Sequence, residues 1–101
     1  MELKRVVVTG LGALTPVGNT VAETWENLVN GVSGAGPITH FDASKFKTQF
    51  ACEVKGFNGA DFIDRKEVRK MDLYTQYAIV AANEAIADSE MDLEKEDLNK
   101  I

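Results

Sequence analysis

The chain has 101 residues, of which 45% are hydrophobic and 27% are charged, a composition typical of a globular domain. Its formal net charge of −5 argues against general nucleic-acid binding, which needs many basic side chains to neutralise phosphates. No apolar run approaches the roughly 20 residues of a membrane-spanning helix, and the single cysteine excludes an internal disulfide, so we expect a cytoplasmic protein without membrane contact.

The chain opens with a valine-rich segment and a glycine-rich turn. Residues 4–9 are predicted to form a strand buried on both faces, because the valines do not alternate with polar residues. Gly10 and Gly12 then supply the first two glycines of a dinucleotide-binding pattern, but Thr15 replaces the third and no acidic residue follows about 20 positions later. The favoured interpretation is that these glycines let the backbone turn tightly and pass close to its neighbours.

A first helix is predicted to begin after Thr20. Thr20 and Glu23 have the spacing of a capping box, and an apolar stripe at helical spacing follows them. Gly31 lies where a left-handed residue closes such a helix.

The next stretch, residues 31–46, is predicted to be a loop, and "QFACEVKGF" a short strand or hairpin arm. Alternation in this segment places Phe50, Cys52 and Val54 on one apolar face, so the thiol is expected to be buried and inert. His40 is expected to pair locally with Asp42, and no cluster has metal-ligand spacing.

One long helix is predicted to begin after Asp64, with Glu67 at the capping-box position. Its later part, residues 77–87, is apolar nearly all round, and such a helix belongs inside a larger protein. The remaining elements are too few to surround it, so the chain is predicted to be part of a larger fold.

The same helix carries a basic cluster. At 100° per residue, Arg65, Lys66, Arg69 and Lys70 span a face of about 140°. Basic residues in a first turn are unfavourable with the helix dipole, by about 0.3–1 kcal/mol each, so an acidic partner would explain them better than local stability does. The alternative is a solvated charged face.

Four blocks of this sequence resemble, in order and spacing, the N-terminal part of the β-ketoacyl-acyl carrier protein synthases. The resemblance covers nearly all of residues 4–90 and is strongest to the type II elongating enzyme of bacterial fatty-acid synthesis, although polyketide ketosynthase domains share the first block. The blocks are "RVVVTGLGALTPVGNT", "TWENLVNGVSG", "HFDASKFKTQFACEVKGF" and "DRKEVRKMDLYTQYAIVAANEA".

The resemblance implies an α/β fold, the N-terminal part of a thiolase-like layered α/β/α/β/α architecture that residues 1–101 leave incomplete. It also implies a homodimeric acyltransferase that needs no cofactor. Such an enzyme moves an acyl group onto a cysteine and condenses it with malonyl-acyl carrier protein as carbon dioxide leaves.

The catalytic residues that the family uses are a cysteine at a helix N-terminus, two histidines and a lysine. This sequence has one histidine, and Cys52 lies outside the family's nucleophile motif. The resemblance therefore places no catalytic residue within 1–101, and the chain alone is expected to be inactive.

One functional feature of the family does match this chain. The family docks acyl carrier protein partly on the helix that corresponds to "DRKEVRKMD", and Lys66, Arg69 and Lys70 occupy the matching positions, with Arg65 adjacent. Two alternatives remain open: a small non-catalytic module that binds carrier protein, and a degenerate dinucleotide-binding βαβ unit.

Overall fold

Three α-helices and one small hairpin supply most of the regular structure in the computed structural model, which describes residues 2–100. In chain order the elements are α1 (Val21–Val29), β1 (Ala35–Pro37), β2 (Phe50–Cys52), α2 (Arg65–Val68) and α3 (Leu73–Ser89), with short 3-10 helices at Gly59–Asp61 and Leu98–Lys100.

The predicted first helix is confirmed as α1, together with the two signals that bound it. The Thr20 hydroxyl accepts a hydrogen bond from the Glu23 amide at 3.1 Å. At the other end Gly31 has a φ of 70°, and the Val32 amide donates to the Asn27 carbonyl at 2.9 Å. This left-handed closure satisfies the carbonyls that a helix end leaves free.

The strand predicted for residues 4–9 is wrong for this structure. Within residues 2–100 no segment pairs with it, and Val6 and Val8 are 89% and 79% exposed. A strand exists only where a neighbouring strand takes its N–H and C=O groups, so a β-favouring sequence alone does not produce one.

The hairpin confirms the strand predicted around Phe50 but not the face that it buries. β1 and β2 are antiparallel, with Ala35 opposite Cys52 and Pro37 opposite Phe50. Phe50 is 68% exposed and Cys52 is exposed, whereas Ala51 between them is half-buried. The apolar face lies open because, among residues 2–100, no second layer covers this side of the hairpin.

The single long helix predicted from Asp64 is divided into α2 and α3. Asp72 takes an extended conformation, with φ −70° and ψ 158°, and its carboxylate accepts from the Leu73 amide at 3.0 Å. An aspartate that caps a new helix in this way competes with continuation of the old one. The prediction missed this second cap.

The described residues bury few of their apolar side chains. Among residues 2–100 only Ala43 and Val80 are hydrophobic and nearly covered, at 7% and 8% exposure, while Trp25 on α1 is 67% exposed. The radius of gyration is 17.4 Å, against about 13 Å for a compact chain of 100 residues. These residues therefore leave apolar faces on α1 and α3 that they do not cover themselves.

Candidate functional site

The basic cluster lies on α2 and on the turn that follows it. Asp64 caps α2 by accepting from the Lys66 amide at 3.0 Å, and Arg69 is the residue that closes the helix. We call residues 65–70 the basic turn. All four basic side chains on it are exposed to solvent: Arg65, Lys66, Arg69 and Lys70.

The local charge balance of the basic turn leaves most of its cations unpaired. Lys70 reaches Glu67 at 3.7 Å, a contact between two largely exposed side chains. Within residues 2–100, Arg65, Lys66 and Arg69 form no ion pair. Asp64 and Asp72, the acids that flank the turn, accept hydrogen bonds from backbone amides at helix N-termini.

The short length of α2 changes the expected effect of its helix dipole on the basic cluster. Because α2 has only four residues, Arg65 and Lys66 lie in its last turn as well as its first. The unfavourable interaction of basic residues with the N-terminus of a long helix therefore does not apply here. The dipole gives no reason for an acidic partner, and the reason that is left is the exposed positive charge.

A buried glutamine of α3 donates hydrogen bonds to the backbone at the end of α2 and the basic turn. Gln76 is 6% exposed, and its amide nitrogen donates to the Met71 carbonyl at 3.2 Å and to the Val68 carbonyl at 3.5 Å. Val68 and Met71 are half-buried, whereas the basic side chains are exposed. Sequence reasoning missed Gln76, because a single glutamine in a helix carries no local signal of burial.

The glycine-rich turn lies against α3, and its backbone amides donate hydrogen bonds to carboxylates of that helix. Leu11 donates its amide to Asp88 at 3.0 Å, and Ala13 donates to Glu84 at 2.9 Å. The other oxygen of Glu84 accepts from the Val21 amide at 3.1 Å, which ties the start of α1 to the same residue.

The approach of this turn to α3 explains the glycines. A Cβ added at Gly12 would overlap the Ala81 carbonyl, and one added at Gly10 would overlap that of Ala85. The favoured interpretation, a glycine turn that passes close to its neighbours, is confirmed. Sequence reasoning assigned Glu84 no role; its position as the one acidic residue of the apolar run 77–87 is the signal that could have identified it.

His40 and Cys52 form no catalytic arrangement in the described residues. The predicted pair of His40 with Asp42 is wrong: the imidazole Nε2 lies 3.3 Å from Glu53, while Asp42 accepts from the Ser44 amide at 3.0 Å. Cys52 is exposed rather than buried. Across the part of the chain that the structure describes, no three His, Cys, Asp or Glu side chains could hold a metal ion.

Glu53 closes the loop around His40. Burial raises the pKa of the Glu53 carboxyl. Three hydrogen bonds and the charge of His40 outweigh burial and hold that pKa below its usual value; the bonds come from the Thr39 amide, the Thr39 hydroxyl and the His40 amide. The hydrogen bonds from Ser44 likewise lower the pKa of Asp42. These contacts order the loop and involve no group placed for chemistry.

Comparison with known families identifies the fold. The family model described as the β-ketoacyl synthase N-terminal domain matches residues 3–101. The chain belongs to this family. The resemblance drawn from the four sequence blocks is thereby confirmed, and the valine segment and glycine turn are part of a β-ketoacyl synthase N-terminal domain.

Curated relatives agree with the family assignment. The chain is 50% identical over 98 residues to a 3-oxoacyl-[acyl-carrier-protein] synthase 2 of Staphylococcus aureus strain COL, and 50% identical over 91 residues to one of a Synechocystis species. These alignments cover 97% and 90% of this chain but 24% and 22% of the relatives. The β-ketoacyl synthase chain thus spans about a quarter of the length of the curated relatives it matches.

Solved structures place the chain in the same α/β fold. The ishigamide ketosynthase/chain length factor matches 87% of this chain and 22% of its own, with a TM-score of 0.79 and 36% identity. A type II PKS acyl-carrier protein in complex with its ketosynthase, AntDE:AntF, matches 94% of this chain and 23% of its own, with a TM-score of 0.71 and 30% identity. The predicted thiolase-like fold class is confirmed. None of the helices that residues 2–100 form in this β-ketoacyl synthase domain is long and apolar enough to cross a membrane.

Proposed function

We propose that residues 1–101 belong to the N-terminal domain of an elongating β-ketoacyl-acyl carrier protein synthase of fatty-acid biosynthesis. The intact protein would be a cytoplasmic homodimer that condenses an enzyme-bound acyl thioester with malonyl-acyl carrier protein, with loss of carbon dioxide. The support is the 50% identity to two proteins that carry the name 3-oxoacyl-[acyl-carrier-protein] synthase 2.

Within this segment the proposed role is docking rather than chemistry. The sequence holds one histidine and one cysteine, and that cysteine lies on an exposed hairpin edge. The nucleophile and the two histidines of the reaction therefore belong to the remainder of the intact protein. The 101-residue chain alone is expected to give no condensation product above background when it is supplied with acyl- and malonyl-acyl carrier protein.

The basic turn is the proposed docking site for acyl carrier protein, which is acidic. The observation that carries this proposal is the exposure of Arg65, Lys66 and Arg69 without an ion pair among residues 2–100. Exposed charges at the rim of an interface mainly speed and orient the encounter with a partner, and salt weakens their effect. A neighbour in fold is itself a ketosynthase in complex with an acyl-carrier protein.

The test is a titration of acyl carrier protein against charge-reversed variants of the full-length gene product. Lys66→Glu and Arg69→Glu are each expected to weaken binding roughly two- to thirtyfold, because an exposed ion pair contributes about 0.2–1 kcal/mol and reversal replaces it with repulsion. The loss should shrink at high salt.

A matched control makes the same charge change elsewhere. Lys47 is exposed in the loop before β2 and forms no ion pair within residues 2–100. Lys47→Glu is expected to bind carrier protein as the parent does. If all three variants weaken binding equally, net charge rather than the basic turn governs the association, and the proposed docking site is wrong.

A further inference from the structure

The basic turn owes its shape to a contact that comes from another helix. α2 is only four residues long. The turn after it has three backbone hydrogen bonds, from the Arg69 amide to Arg65 at 3.4 Å, from the Lys70 amide to Glu67 at 3.0 Å and from the Met71 amide to Val68 at 3.2 Å. So short a helix has little stability of its own, because the first helical turn is unfavourable to form and no further turns follow it.

Gln76 adds side-chain hydrogen bonds to this turn, giving the Met71 carbonyl a donor and the Val68 carbonyl a second donor besides the Met71 amide. Its amide group donates to the carbonyls of Met71 and Val68, which are the two that end α2 and the turn. At 6% exposure it is the only buried polar side chain among residues 2–100, and its side-chain oxygen lies against the backbone of Gly59. A buried amide that donates two hydrogen bonds and packs against a backbone on its other side has little freedom to move.

We propose that Gln76 is the positioning residue of the basic turn, fixing the direction in which Arg69 and Lys70 present their charges to the carrier protein. Gln76 does not touch the partner; it acts through the backbone of residues 68–71. This inference rests on the proposed docking function of the basic turn.

The first test is Gln76→Met, which keeps the length and burial of the side chain but removes both hydrogen bonds. It is expected to weaken carrier-protein binding by the full-length gene product about three- to tenfold, a coupling typical of residues that share one hydrogen-bonded unit. Gln49→Met is the matched control, since the Gln49 amide also donates to two carbonyls, those of Ser44 and Phe46, in a different loop. It is expected to leave binding unchanged.

Gly59→Ala provides a second variant that perturbs the same contact from the other side. The added methyl would overlap the side-chain oxygen of Gln76 and displace its amide. It should reproduce the loss of binding, so the proposal stays testable if Gln76→Met does not fold.

Amide hydrogen exchange gives a readout that does not depend on the partner. In Gln76→Met the amides of Lys70 and Met71 should exchange faster, while the Thr24 amide inside α1 keeps its parental rate. Faster exchange at all three sites would mean general loosening and would overturn the positioning role.

The outcomes separate this inference from the proposed function. If Lys66→Glu and Arg69→Glu leave binding intact, the docking site itself is wrong and the positioning role falls with it. If those reversals weaken binding but Gln76→Met does not, docking stands and the inference about Gln76 is overturned. In the Arg69→Glu background, Gln76→Met should cost less than twofold, because the charge that it positions is already reversed.

Discussion

Replacing Gly12 with alanine is the sharpest test of how the glycine-rich turn is held. The added methyl would overlap the Ala81 carbonyl and lie 2.9 Å from the Ala85 amide nitrogen. Because both are backbone atoms inside α3, no side-chain rotation relieves the clash, and the turn itself must move away from the helix.

The cost can be worked out from the contacts that this movement disturbs. Overpacking of this kind costs about 1–3 kcal/mol. The 2.9 Å bond from the Ala13 amide to Glu84 is also lost; a hydrogen bond to a charged group contributes about 1.5–3 kcal/mol, and partial exposure reduces this to about 1 kcal/mol. We therefore expect Gly12→Ala to lower the free energy of unfolding by about 2–4 kcal/mol.

Urea unfolding of the full-length gene product measures this loss, with Gly36→Ala as the matched control. A methyl added at Gly36 in β1 meets no atom within 4 Å, so its effect should stay within about 0.5 kcal/mol. Equal free energies of unfolding for the two variants would refute the argument that close approach to α3 requires glycine at position 12.

Three further substitutions test other contacts. Glu84→Gln should lower the free energy of unfolding by about 1–2 kcal/mol in urea unfolding, since its new NH₂ group must face the amide of either Ala13 or Val21; no loss would contradict the bridging role. Because the pKa of Glu53 is lowered in the folded protein, the stabilisation by its carboxylate is complete above the ordinary value of 4.5 and is lost as pH falls through the lower folded value. Glu53→Gln should therefore make the unfolding midpoint fall less between neutral pH and about pH 3. An unchanged pH profile would contradict this role of Glu53. Glu90 closes α3 with a φ of 57°, so Glu90→Gly should raise the thermal midpoint by relieving about 0.5–1 kcal/mol of strain, and a lower midpoint would disprove this.

Prediction from the sequence succeeded where the signals are local. The Thr20 cap and the Gly31 closure of α1 depend on residues within one helical turn, and the structure confirms both. The basic cluster was also identified from spacing alone, although the helix that carries it proved far shorter than expected because Asp72 starts a new one.

Prediction of burial failed where a covering layer decides it. Alternation in "QFACEVKGF" identified the strand, but Phe50 and Cys52 are exposed and Ala51 is the half-buried residue. The valines of residues 4–9 likewise have the composition of a buried strand without a partner among residues 2–100. A hydrophobic pattern indicates which face of a strand is suited to burial, but that face is buried only where another layer of structure packs against it.

The sequence by itself therefore determined the family, the helix caps and the position of the basic turn, because these depend on motifs and on residues three or four positions apart. Only the tertiary structure decided what holds these parts together. Glu84 and Asp88 reach the glycine-rich turn across 71 and 77 positions of sequence, and Gln76 reaches the end of α2 from the next helix. Such contacts exist only after the chain has folded back on itself, since no local preference brings a carboxylate to an amide that far away.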